Sequence, residues 1–130
     1  MTGWGVTPAI RVTEMAGALE FYVARLGFTL ERGGPTETNC AISRGGARLM
    51  LEVAADHYGD AYNAAIRKRL GSVSPTSLYI EAPDLEELYD TLGAAGTQII
   101  DPLADRPWGQ AEFTVEDTDG NWLTFWKATA

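Results

Sequence analysis

Trp122, Thr124 and Trp126 stand two residues apart, as do Met50 and Glu52, and Tyr79 and Glu81. In extended chain a spacing of two puts side chains on one face. Each group therefore presents aromatic or carboxylate chemistry on a single surface. Aromatic faces stack planar heterocycles, and each attracts a cation by about 0.5–2 kcal/mol. Carboxylates draw cations from further away and add charge-assisted hydrogen bonds. Together they describe a receptor for a planar, basic molecule. Glu52 and Glu81 are also candidate general bases, because a single tuned carboxyl can move a proton.

The same residues have plainer readings. Trp122 and Trp126 also suit a core or a dimer interface, where aromatics concentrate. Glu52 and Glu81 also suit a solvated surface, or pairing with Arg11 or Arg48. Trp108 follows Pro107 in a loop, an unusual place for a core tryptophan, and is expected to touch ligand. Trp4, near the N-terminus, suits cover against a neighbouring subunit.

Counts of the reactive types narrow the chemistry. Cys40 is the only cysteine and His57 the only histidine. No internal disulfide, no cysteine-based zinc site and no pair of histidine ligands from one chain is available. Cys40 reads as a small buried hydrophobe, and His57 falls in a linker. Gly33-Gly34 and Gly45-Gly46 are not followed by a helix start with lysine, so neither is a phosphate loop.

The chain has 130 residues, 45% hydrophobic and 22% charged, the make-up of one soluble globular domain. That length buries roughly two thirds of the unfolded surface. Ten Lys plus Arg against eighteen Asp plus Glu give a net charge of −8. Such a surface repels phosphate backbones and anionic headgroups, so neither nucleic acid nor membrane is expected as a partner. No stretch approaches the ~18 apolar residues of a span, and no basic-then-apolar leader opens the chain. The expected compartment is the cytoplasm.

Elements must hold these residues in place. Met15, Ala18, Leu19, Tyr22, Val23 and Leu26 form an apolar stripe at helical period, with Thr13 as cap and Gly27 as stop. Leu85, Leu88, Tyr89 and Leu92 repeat it, with Asp84 and Glu87 as a box-like cap and Gly96 as stop. A third helix over residues 60–70 is expected to turn Ala61, Tyr62, Ala65, Ile66 and Leu70 inward. Strands are expected over 9–12, 38–43 and 48–53, and again over 77–82, 98–100, 111–116 and 121–126. Gly45-Gly46 and Asp119-Gly120 supply hairpin turns, and the stretches 32–39 and 100–109 read as loops.

Strand-helix-strand-strand-strand thus reads twice. Thr7 and Ser77 lie 70 apart, as do Met15 and Leu85, while Leu49 and Leu123 lie 74 apart. An internal repeat of this kind implies pseudo-twofold symmetry. One module is expected over about 5–53, a linker with its own helix over about 54–76, and a second module over about 77–127.

Pro8-Ala9-Ile10-Arg11-Val12, Ala18-Leu19-Glu20-Phe21-Tyr22 and Leu26-Gly27-Phe28 resemble the opening module of a known superfamily. It is the glyoxalase, bleomycin-resistance and extradiol dioxygenase (vicinal oxygen chelate) superfamily. Asp105-Arg106-Pro107-Trp108-Gly109-Gln110, Glu112-Phe113 and Asp117-Thr118-Asp119-Gly120-Asn121 resemble its closing module, most of all in the bleomycin-resistance branch. The resemblance implies an α+β fold of two βαβββ modules whose mixed, curved sheets form a half-barrel cavity, commonly in a homodimer.

In metal-dependent members of that superfamily four positions hold the ion. Carried over, they fall on Thr7, Met50, Ser77 and Thr124. Hydroxyls are weak ligands and a thioether prefers soft ions, so no metal and no cofactor are expected. Glu52, two residues beyond Met50, adds one carboxylate at most, short of the three protein ligands of a catalytic site. The parity of these positions marks the cavity face. It carries Thr7, Ala9 and Arg11, then Met50 and Glu52, then Ser77, Tyr79 and Glu81, then Trp122, Thr124 and Trp126. Leu49, Leu51, Leu123 and Phe125 take the opposite face. The expected ligand-binding set is Trp108, Trp122, Trp126, Tyr79, Glu52, Glu81, Arg11, Met50 and Thr124.

The resemblance then implies a metal-independent binding protein that sequesters a cationic, aromatic antibiotic of the bleomycin kind. A glyoxalase-like lyase or isomerase using Glu52 or Glu81 as base is the alternative, and a binder of some other small molecule is a third reading.

Overall fold

Strand alternation decides which side of each sheet a helix covers. Ile10, Cys40, Ile42, Leu49 and Leu51 are all buried, and cross-strand register puts them on one side of a single sheet. Ile80, Phe113, Val115, Leu123 and Phe125 do the same in another. Each apolar side has to be capped by a helix. The computed structural model describes residues 6–54, 59–70 and 77–129. It divides into two compact units, Met1–Ser72 and Val73–Ala130. Trp4 and His57 lie outside the described residues.

The first unit contains β1 (Ala9–Arg11), α1 (Met15–Leu19), β2 (Thr29–Arg32), β3 (Asn39–Arg44), β4 (Ala47–Glu52) and α2 (Asp60–Arg69). Its open sheet has the order β1-β4-β3-β2, with β1 parallel to β4 and the other pairs antiparallel. The second unit contains β5 (Ser77–Glu81), α3 (Leu85–Ala94), β6 (Ile99–Arg106), β7 (Gln110–Glu116) and β8 (Trp122–Ala128). Its sheet repeats the pattern as β5-β8-β7-β6, with β5 parallel to β8. The fold is α+β, and the two modules are alike, as the sequence repeat predicts.

The first helix differs from its expected form in two ways. Its N-cap is Glu14, whose carboxylate accepts from the Gly17 N–H at 3.3 Å, and not Thr13. Beyond Leu19 the coil widens into a π-helical stretch, Glu20–Arg25. The Leu26 N–H there reaches back five residues to the Phe21 carbonyl at 3.0 Å. The wider turn sets Phe21 and Tyr22 edge to face at 5.4 Å, and Tyr22 against Phe28 at 5.7 Å. Gly27 then ends the helix at φ 81.

Three further expectations change. α2 forms, but none of its residues is buried. Two of the five stripe residues, Ala61 and Ala65, are alanines, which offer little apolar area to a neighbour. β2 was not located from the residue pattern: all four residues are exposed, and its register slips between Leu30 and Arg32. The stretch read as a loop over 100–109 is largely strand, because β6 runs to Arg106 through two register shifts that accommodate Pro102.

In the second unit α3 buries Leu85, Leu88 and Leu92. Asp84 occupies the N-cap position but makes no side-chain capping bond, so the expected box is replaced by the charges of Glu86 and Glu87 in the first turn. Phe113 packs against Tyr89 at 5.0 Å and Phe125 at 5.6 Å. Among the described residues no helix is long and apolar enough to cross a membrane.

Candidate ligand-binding site

Opposite its helix, each sheet has a far face, and the chemistry gathers there. In the second module register places Tyr79 beside Thr124, and Thr124 beside Thr114. The next row is Glu81, Trp126 and Glu112. The alternation expected for β5 and β8 is therefore the one observed.

Glu112 organises this face, and the sequence reading missed it. It is 5% exposed, yet it carries a carboxylate. Burying that charge is costly unless hydrogen bonds replace water. Three donors do so: the Trp108 indole N–H at 2.9 Å, the Gln110 amide at 3.0 Å and the Tyr79 hydroxyl at 3.4 Å. Two of these donors belong to exposed aromatics, Trp108 at 62% and Tyr79 at 58%. One buried anion thus fixes two exposed rings. Loss of water, then the charge and hydrogen bond of Glu112, raise the Tyr79 phenol above its ordinary value. The signal available in the sequence was parity, since Glu112 shares its strand face with Thr114 and Glu116.

Trp108 sits in the turn between β6 and β7, where Gly109 takes φ 87. Trp122 is half-buried and donates its indole N–H to Glu116 at 3.0 Å. Trp126 is half-buried beside Glu112 and Glu81. Glu81 is exposed at the end of β5. The Asp119-Gly120 turn is held from Asp117, whose Oδ1 accepts from the N–H groups of Asp119 at 2.9 Å and Asn121 at 2.8 Å.

The first module's far face is built differently. Arg11 forms an ion pair with Glu52, and the Tyr62 ring of α2 lies 5.4 Å from the Arg11 guanidinium carbon. Asn39 donates to the other Glu52 oxygen at 2.8 Å. Glu52 is buried, and both of its oxygens face protein groups. It is placed to hold β1, β3 and β4 together. Cys40 is fully buried on the helix side, and burial raises its thiol above the ordinary range.

The four positions that bear metal in other members of the fold do not fit an ion here. Ser77 and Thr124 share a hydrogen bond at 2.9 Å, and Thr124 shares another with Thr114 at 2.8 Å. The hydroxyls are engaged with each other. Met50 offers a thioether, and its sulfur lies 4.0 Å from an Arg32 nitrogen. Among the described residues no three His, Cys, Asp or Glu side chains cluster as a metal site would require.

The structure therefore brings together Tyr79, Trp108, Thr124, Trp126 and Glu81 on one module, with Glu112 added. It places Arg11, Met50 and Glu52 on the other. The first group offers stacking surfaces and negative charge, and the second a buried ion pair.

A βαβββ module used twice, with aromatics and carboxylates on the far face of its second copy, defines a fold class with known members. The Glyoxalase/Bleomycin resistance protein/Dioxygenase superfamily profile matches residues 6–125, and the chain belongs to that superfamily. No curated protein matches the sequence. Among solved structures, TioX from Micromonospora sp. ML1 is similar at 22% identity over 96% of each chain, with TM-score 0.74. A superfamily member from Alicyclobacillus acidocaldarius is similar at 22% identity, over 100% of this chain and 96% of its own, with TM-score 0.68. The bleomycin-binding protein of bleomycin-producing Streptomyces verticillus, solved with copper(II)-bleomycin, is similar at 23% identity over 96% of each chain, with TM-score 0.63.

Proposed function

We propose that this protein binds a cationic, aromatic small molecule of the bleomycin kind and sequesters it unaltered, as a cytoplasmic homodimer conferring antibiotic resistance. The observation that carries the reading is the pair of exposed rings, Tyr79 and Trp108, tied to one buried carboxylate. Rings held in place before a ligand arrives lose less freedom when it binds. Glu81, exposed on the strand face of Tyr79 and paired across to Trp126, adds the charge that a basic ligand needs. The bleomycin-binding relative supports the ligand class. The four metal-bearing positions of the fold carry hydroxyls and a thioether, which suits binding without a metal. The chain's −8 charge favours cations at long range.

The test is a titration of tryptophan emission with metal-free bleomycin at low and at physiological salt. Saturable quenching, tighter at low salt, is the expected result. Emission unchanged up to about 1 mM would overturn the assignment, since that is weaker than any useful sequestration.

A further inference from the structure

Arg32 is held differently from Arg11 on the first module's far face. Arg11 is neutralised by Glu52 and covered by Tyr62. Arg32 donates to the Asn39 carbonyl at 3.3 Å and to the Asn39 side-chain oxygen at 2.5 Å, and its third contact is the Met50 sulfur at 4.0 Å. All three partners are neutral. Among the described residues it has no carboxylate within ion-pair distance.

The guanidinium is nonetheless held in one orientation. Asn39 gives its amide N–H to Glu52 at 2.8 Å, which leaves its oxygen turned toward Arg32. Glu52 is in turn fixed by Arg11. A surface arginine ordinarily keeps its rotamer freedom, and this one has surrendered much of it to neutral partners. Of five guanidinium N–H groups, these contacts leave two, together with the full charge.

An oriented cation without a counter-ion is half of a charge-assisted pair. Its surroundings state the rest of the ligand. Met50 is part-exposed beside Arg32, and Ala9 pairs with Met50 across β1 and β4. That surface is apolar and suits a hydrocarbon or ring body.

We infer that the far face of the first module binds a small organic acid, a carboxylate or sulfonate with an apolar body, with Arg32 taking the anion and Met50 and Ala9 the body. The proposal uses residues of the first module alone and stands independently of the cationic-ligand reading. A net charge of −8 opposes anions at long range, which sets a small probe's dissociation constant at roughly millimolar.

Three methionines make the test direct, because Met1, Met15 and Met50 give a methyl spectrum of three signals. Sodium benzoate is titrated into carbon-13-methyl-labelled protein beside the neutral isostere benzamide. Benzoate is expected to shift the Met50 methyl saturably, and benzamide at least about fivefold less. Arg32→Gln should reduce the benzoate shift to the benzamide level, and Arg32→Lys should retain part of it. The Met15 methyl, buried in the core, reports whether each variant is folded. Equal shifts from benzoate and benzamide would overturn the proposal in the wild-type protein alone, as would full benzoate response in a folded Arg32→Gln. Three of the four tryptophans that bleomycin would quench, Trp108, Trp122 and Trp126, belong to the second module, whereas the benzoate shift is read at Met50, so either proposal can fail while the other stands.

Discussion

Trp108 donates its indole N–H to Glu112 Oε1 at 2.9 Å across a steep change in burial, with the donor 62% exposed and the acceptor 5%. A free surface indole samples several rotamers and would be ordered on binding, at about 0.5–1.5 kcal/mol for a side chain of this kind. Here the order exists beforehand. The anchor also fixes the ring's direction, because an indole has a single N–H donor.

Glu112→Gln keeps the shape of the anchor and removes its charge. Hydrogen bonds to charged groups contribute about 1.5–3 kcal/mol, and the glutamine amide turns a donor toward donors. Urea unfolding should show a loss of about 2 kcal/mol. Tryptophan anisotropy should fall, and bleomycin affinity should drop by about tenfold. Unchanged anisotropy and affinity would show that Trp108 is held by something else.

Tyr79 should titrate above its ordinary value when its ring carbons are followed by NMR, since loss of water and then Glu112 favour the neutral phenol. Because the folded value lies above the unfolded one, the associated stability is complete below the ordinary phenol value. It is lost as pH rises through the raised one. Glu112→Gln should bring the Tyr79 titration back down. A titration indifferent to that substitution would break the link between the two residues.

Gly33→Ala should destabilise the first module by about 2 kcal/mol or more. Gly33 adopts φ +94, and a Cβ there would stand 2.7 Å from Cys40 Sγ and 2.9 Å from the Asn39 carbonyl oxygen. Backbone strain and collision act together. A midpoint in urea within experimental error of wild type would mean that β2 and β3 separate freely at this point.

Asp117→Ala removes the acceptor for the Asp119 and Asn121 N–H groups and for the Asn121 side-chain amide, the last at 2.8 Å. Asp117 is buried, so the freed donors lose bonds that water replaces poorly. A loss of about 2–3 kcal/mol is expected by chemical denaturation, with the signals of β7 and β8 exchanging fastest with deuterium. Wild-type protection in that hairpin would place its stability elsewhere.

Strand parity was legible because the large aliphatic side chains fall on one side of each sheet, although Thr114, Thr124 and Glu112 on the other side are buried too. Leu49, Leu51, Leu123 and Phe125 alternate with Met50, Trp122 and Thr124, and a period of two admits only two assignments. Where burial gives no contrast the signal fails. Every residue of β2 is exposed, so nothing alternates. In β6 two register shifts break the period around Pro102.

Glu112 was hidden for a different reason. A carboxylate is read as surface unless its donors are known, and two of them, Tyr79 and Trp108, come from β5 and from a turn. Glu52 was legible as a face residue with Arg11 among its expected partners, and that pair forms, but Asn39 on a third strand was not foreseen. Sequence shows which way a side chain points, whereas the bonds it makes depend on strand order. The cap at Glu14 in place of Thr13 is the same limit at short range, since two adjacent acceptors compete for one N–H.

The hydrogen-bond ladders form two separate sets of four strands, each begun and finished within its own half, with the opening strand zipped alongside the last. Among the described residues each ladder is made of strands from one half. A rung lost from one ladder is therefore not a rung lost from its counterpart. Like ladders thus carry unlike charge, with Arg32 exposed in one and Glu81 exposed beside Trp126 in the other.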